Sequence, residues 1–386
     1  MEKQGAFFTG QYRNLLKEYG YPEEEINRKI EETWEQLFFG DDRIRFYHPV
    51  GQDMGFVTDT GNNDVRTEGM SYGMMMAVQM NNQEIFDRLW KWTKTYMWHE
   101  SGPYKGYFAW SCNLNGTRRA QGPAPDGEEY FAMALLFAAH RWGDREEPFN
   151  YSTQAKAILH EVVHKGENDE PGQPMWDPET KLIKFVPECN FTDPSYHVPH
   201  FYELFARWGN PEDSAFWFAA AKASREFLHK TCHPVTGLAP ENAYYDGRPF
   251  HGYGHGDFYS DAYRVALNIG LDYEWFRADE GQKELAKKIQ NFFIDKEKFT
   301  KYTIDGKELP QPEYLHHVGL IATNAAAALA GEGPVAKASI DRFWRTPLRR
   351  DQRRYYDNCL YFFTLLALSG NYRIYGPESP FPSGEQ

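Results

Sequence analysis

Apolar residues recur every three to four positions through most of the chain, the period of an α-helix with one face turned inward. With caps and breakers added, the pattern predicts helices over 9–37, 67–81, 83–98, 127–142, 151–165 and 194–208. Six more follow over 211–231, 258–270, 280–297, 315–331, 334–345 and 354–369. The first has a weak point at Gly20-Tyr21-Pro22, where proline removes a backbone donor. Pro211-Glu212-Asp213 opens one helix with a proline and acids in its first turn, and Gly370 closes the last. Short β-rich pieces at 44–47, 107–112 and 182–186 are too scattered for a large sheet.

Twelve helices with no linker, charge run or low-complexity tract between them predict an all-α fold in one domain spanning 1–386. Six helical hairpins closed into an (α/α)6 barrel, six inner helices ringed by six outer ones, satisfy that count. An open bundle or a solenoid is the alternative, and no internal repeat supports the solenoid. The even-numbered helices begin near 67, 127, 194, 258, 315 and 354. In a closed ring they point the same way, so their starts gather on one face and distant residues become neighbours.

Composition narrows the partners. With 42 Lys+Arg against 55 Asp+Glu the net charge is −13, which disfavours a nucleic-acid or anionic-membrane surface. The longest apolar run, 130–139, is ten residues, and a membrane span needs about twenty. No basic segment followed by an apolar core opens the chain, and Cys112, Cys189, Cys232 and Cys359 are widely spread. A reduced cytoplasmic protein without an obligate protein partner is the expectation, and the sequons at Asn115, Asn150 and Asn190 are then chance matches. Aromatic residues make up 17%, which is read equally as a large core or as a cleft paved with flat rings for neutral sugars or other planar-faced ligands.

Acids and tyrosines stand where the even helices begin. Asp64-Val65-Arg66-Thr67-Glu68 leads the second, Pro125-Asp126-Gly127-Glu128-Glu129 the fourth, Asp193-Pro194-Ser195-Tyr196 the sixth and Ser260-Asp261-Ala262-Tyr263-Arg264 the eighth. Each acid alone is accounted for as a helix cap. Gathered on one face they suit acetal hydrolysis, in which one carboxyl arrives protonated and another ionised. Crowding favours that split by raising the pKa of one member, while a helix N-terminus opposes it.

The segments RTEGMSYGMMMAVQ, GPAPDGEEYFA, SYHVPHFYELF and SDAYRVALNIG resemble glycoside hydrolase family 8, whose members have an (α/α)6 barrel and invert the anomeric configuration. The resemblance runs from Tyr12-Arg13-Asn14-Leu15 to RRYYDNCLYFF near 360. It is greatest to the exo-acting members that release xylose from the reducing end of short β-1,4-xylo-oligosaccharides. It implies Glu68 as general acid, Asp261 as general base, Tyr196 as a holder of the attacking water and Asp126 as a third acid that binds and distorts the sugar. Arg264 would orient the base, and Arg66, Trp110, Leu315, His316 and Tyr356 would bind substrate. Trp110 is the candidate stacking platform, with a core tryptophan as its alternative. An inverting pair implies carboxyl groups roughly 6.5–9.5 Å apart.

The stretch KELPQPEYLHHVG at 307–319 resembles the loop that closes the reducing end of the cleft, with Leu315 and His316 as its wall. His317 stands where the resemblance expects proline, which loosens that loop. No cofactor and no metal are expected. His197 and His200 are read as a buried hydrogen-bonding pair, the Met74-Met75-Met76 run and Trp90 with Trp92 as core, and the glycines at 252–256 as a flexible lead-in to Asp261. The competing readings are an endo-acting relative, a sugar epimerase and a sugar-binding protein.

Overall fold

The computed structural model describes residues 4–310 and 315–377. Two single turns, α1 (Ala6–Thr9) and α2 (Leu15–Glu18), precede twelve longer helices. These are α3 (Glu23–Phe39), α4 (Thr67–Gln79), α5 (Gln83–Tyr96), α6 (Pro125–Trp142), α7 (Tyr151–His164) and α8 (Pro199–Trp208). They continue with α9 (Ser214–Thr231), α10 (Arg264–Phe276), α11 (Gln282–Phe293), α12 (His317–Ala326), α13 (Gly333–Arg345) and α14 (Arg354–Leu368).

The even-numbered helices from α4 to α14 form the inner ring. Each touches the next, and α14 returns to α4 to close it. Burial follows: every residue of α10 and of α14 is buried. The odd-numbered helices are amphipathic and pack outside. On α3 the stripe Ile26, Ile30, Trp34, Leu37 and Phe38 turns inward, while Glu23, Glu24 and Glu25 meet the helix's exposed N–H groups. Helix α3 comes from the start of the chain yet packs on α14 at its end, completing the outer layer. This is the (α/α)6 barrel that the pattern predicts.

Two close approaches on the inner ring need glycine. A Cβ on Gly127 would stand 2.5 Å from the Thr67 Cβ, so the starts of α4 and α6 come together only without one. A Cβ on Gly69 would stand 2.8 Å from the Tyr355 hydroxyl, and its absence lets α14 lay that tyrosine on the first turn of α4.

Several predicted boundaries move. The helix expected over 9–37 starts at Glu23, because Pro22 breaks it as its missing donor requires. The helix expected from 194 is a 3₁₀ turn at Pro194–Tyr196, and α8 starts afresh at Pro199. The helix expected over 258–270 is a 3₁₀ turn at Ser260–Tyr263 before α10, which runs on to Phe276. Of the β pieces, 44–47 shifts to β1 (Tyr47–Val50), paired antiparallel with β2 (Met54–Val57). The piece at 107–112 shrinks to β4 (Ser111–Cys112), paired with β3 (Val65–Arg66). The piece at 182–186 keeps one bridge, Ile183 to Trp176.

Candidate active site

The inner-helix starts converge on one guanidinium. Arg264, at the first position of α10, has a side chain 5% exposed. Its Nη1 donates to Glu68 Oε2 at 2.9 Å, Asp126 Oδ2 at 3.1 Å and the Tyr72 hydroxyl at 3.1 Å. Its Nη2 lies 3.6 Å from Asp261 Oδ1 and 3.9 Å from Asp193 Oδ2. Four carboxylates from four segments therefore share one cation. The short β3–β4 pairing helps to set the first of them, since Thr67 N bonds the Trp110 carbonyl just beyond it.

The two acids expected to do the chemistry sit in different surroundings. Glu68 is 15% exposed, and its Oε1 accepts from the Tyr355 hydroxyl at 2.8 Å. Burial pushes its pKa up against the pull of Arg264, and the charge of Asp261 pushes the same way. Asp261 is 38% exposed and faces the cleft. Asp126 is raised by burial to about 7, with Arg264 opposing and Glu68 adding. Asp193 is fully buried and rises well above the usual carboxylate range for the same reason, although Ser195 N donates to its Oδ1 at 2.7 Å. Burial outweighs one shared arginine, so the cluster holds protons that isolated carboxylates would lose.

Glu68 and Asp261 line a cleft of about 70 Å³ together with Asp59, Arg66, His316 and Tyr356. Arg66, ion-paired to Asp59 at 3.2 Å and Asp64 at 3.1 Å, lies over the half-buried Trp110 ring at 5.2 Å. Tyr196 is buried, with its ring 5.5 Å from the Arg264 guanidinium. The Tyr356 hydroxyl donates to the Ser260 carbonyl at 3.0 Å, tying α14 to the turn that carries Asp261. His316 takes a left-handed backbone, φ 61°, and its Nδ1 pairs with Asp357 Oδ2 at 2.9 Å. Burial works to raise Asp357, but the bond from His316 and the Arg349 charge hold it low. Leu315 is half-buried beside His316, and His317 begins α12. Residues 311–314 of the expected closing loop lie outside the described residues.

Tyr72, Tyr355 and Asp357 escaped the site reading, and Asp193, counted there among the helix-start acids, was given no role. The Tyr355-Tyr356 pair at the start of α14 was the available signal, but nothing local says that Tyr355 reaches back to Glu68. His197 and His200 do not bond each other. His197 bonds Thr192 at 2.9 Å and Ser224 at 2.8 Å, whereas His200 packs edge-on against Trp275 with no hydrogen-bond partner among the described residues. Three positions on an interrupted helix start do not align two rings. The Met74–Met76 run, Trp90 and Trp92 are core, as expected.

Residues 46–370 match the family described as Glycosyl hydrolases family 8. The chain is 59% identical over 379 residues to the reducing end xylose-releasing exo-oligoxylanase of Halalkalibacterium halodurans, covering 97% of each. A crystal structure of a reducing end xylose-releasing exo-oligoxylanase superposes with TM-score 0.96 at 65% identity, over 97% of this chain and 99% of that one. The Paenibacillus barcinonensis enzyme in complex with xylose superposes with TM-score 0.94 at 57% identity, over 96% and 99%. The chain belongs to glycoside hydrolase family 8 and is a glycoside hydrolase.

Proposed function

We propose that this family 8 hydrolase releases xylose from the reducing end of short β-1,4-xylo-oligosaccharides, inverting the anomeric centre, within one catalytic domain. The names of the relatives at 59% and 58% identity support the substrate class. Glu68, kept protonated by burial and by the nearby Asp261, gives its proton to the leaving glycosidic oxygen. Asp261, open to the cleft, takes a proton from the water that attacks the anomeric carbon from the other face. Tyr196 helps to hold that water, and Asp126 hydrogen-bonds the sugar at the cleavage point. Trp110 with Arg66 stacks a sugar face, Tyr356 braces the base-bearing turn, and Leu315 with His316 walls off the far end.

The observation that carries this reading is the sharing of Arg264 by a buried Glu68 and a half-exposed Asp261, on different nitrogens. That arrangement leaves the two carboxyls in unequal surroundings, which supports one as acid and the other as base. Four free cysteines support a reducing, cytoplasmic setting. Among the described residues no helix is long and apolar enough to cross a membrane.

The test is a time course on xylotriose labelled at its reducing end, with anomer-resolved NMR. Labelled xylose and unlabelled xylobiose are expected, the new reducing end appearing first as the α-anomer. A β-anomer first would sink the inverting pair, and label remaining in xylobiose would sink the exo mode.

A further inference from the structure

The expectation of no metal overlooks one motif on the outer ring: residues 160–164 are HEVVH, the His-Glu-x-x-His spacing that puts two imidazoles on one helix face. In α7 the rings of His160 and His164 lie 4.6 Å apart. Asp213, arriving from just before α9, joins them, and the ligand atoms of all three fall within 4.8 Å of one another.

Only one of the two Asp213 carboxylate oxygens has a partner among the described residues. Asp213 occupies the N-cap of α9 but its side chain makes no capping bond. The side chain is 5% exposed, and its Oδ2 has no hydrogen-bond partner among the described residues, which is a costly state for a buried carboxylate oxygen. Its Oδ1 pairs with His164 Nε2 at 2.7 Å. The other ring nitrogen, Nδ1, pairs with Glu167 at 2.9 Å, the carboxylate–imidazole arrangement that orients a metal-binding histidine. His164 lies in the last turn of α7, where the helix dipole favours a cation.

We propose that His160, His164 and Asp213 bind a divalent transition-metal ion, Zn²⁺ by donor type, with water in the remaining position. Binding displaces the proton on His164 Nε2, which leaves to solvent, and clamps the end of α7 to the start of α9. The site is structural and not hydrolytic. Glu161, which would be the base in a metalloprotease, is ion-paired to Lys165 and packs against Gly106.

Chelator-stripped protein titrated with ZnCl₂ in a calorimeter is the experiment. One Zn²⁺ per chain is expected, together with a higher Tm, and Co²⁺ in its place should give the visible absorption of a four-coordinate site. His160→Ala, at an exposed position that folding tolerates, should weaken binding by more than the about 10–100-fold expected for Glu167→Gln. Absence of stoichiometric binding to the stripped protein, or a His160→Ala variant that binds as tightly as the parent, overturns the proposal.

Discussion

Helix α10 carries a buried arginine–carboxylate cluster near each end. Close to its C-terminal end Asp272 receives Arg225 from α9 in a bidentate pair, at 2.7 and 2.8 Å, while Arg225 Nη1 also bonds Glu203 at 2.7 Å. Gln282 donates to Asp272 as well. Two carboxylates share two cations there, since Arg207 also bonds Glu203 at 2.7 Å, and although burial works to raise Asp272, Arg225 holds its pKa below the ordinary value. At the other end Arg264 faces four carboxylates, and Asp126 and Glu68 move upward despite it. Both clusters are deeply buried, so depth alone does not separate a strut from a proton store. The number of carboxyls per cation does, together with how completely their oxygens are bonded.

The sharpest way to break the contrast is to neutralise the proposed acid–base pair. Glu68→Gln and Asp261→Asn should each lower kcat by about 10²–10⁴-fold with Tm maintained. Steady-state rates with parallel thermal melts check this, and a Tm collapse would put the Arg264 cluster in the strut class. Next come the two arginines. Arg225→Met leaves Asp272 buried without its partner and should cost about 3–5 kcal/mol at pH 8. Arg264→Met should abolish activity yet cost less at pH 5 than at pH 8, because the crowded carboxyls can take up protons. Denaturant melts at the two pH values decide it.

A third prediction concerns linkage. Asp126 is raised from 3.8 to about 7, so its contribution to stability is complete below its unfolded pKa and is lost as pH rises to about 7. Asp126→Asn removes that loss. Its stability gain should grow from nil near pH 4 to as much as about 4 kcal/mol above pH 7, while activity falls. Asp272 has the opposite sign: its stabilisation is present above the ordinary carboxylate pKa and fades as pH drops through its lowered value. The smallest effect belongs to Tyr355→Phe. Loss of its bond to Glu68, which favours the anion, should move the alkaline limb of the kcat/KM profile to higher pH and cost about 1 kcal/mol in rate. A limb that stays in place would remove Tyr355 from control of the acid.

Helical periodicity carried much of the architecture: the twelve long helices, their inner and outer alternation and the gathering of Glu68, Asp126, Tyr196 and Asp261 follow from it once the ring closes. What stayed hidden depends on contacts between segments far apart in the chain. Tyr355 reaches Glu68 across 287 positions, and Arg225 reaches Asp272 across 47. Neither pairing leaves a periodic trace. Local chemistry that overrides period was hidden too, as where Asp193 bonds Ser195 N and Pro199 restarts the helix. The HEVVH spacing was simply missed in the sequence, and only the fold shows Asp213, 49 positions beyond His164, beside it.

The packing of α3 on α14, and of Tyr355 on Gly69, has a consequence for biosynthesis. The segment bearing Glu68 leaves the ribosome well before the hydroxyl that bonds it, which belongs to α14, 287 positions later. Until α14 emerges, α4 lacks one of its two ring neighbours and α3 lacks the surface its apolar stripe covers. A nascent chain stalled before residue 354 would therefore hold the carboxylates without the wall that sets the acid. The hydrolase becomes competent only once α14 has been made.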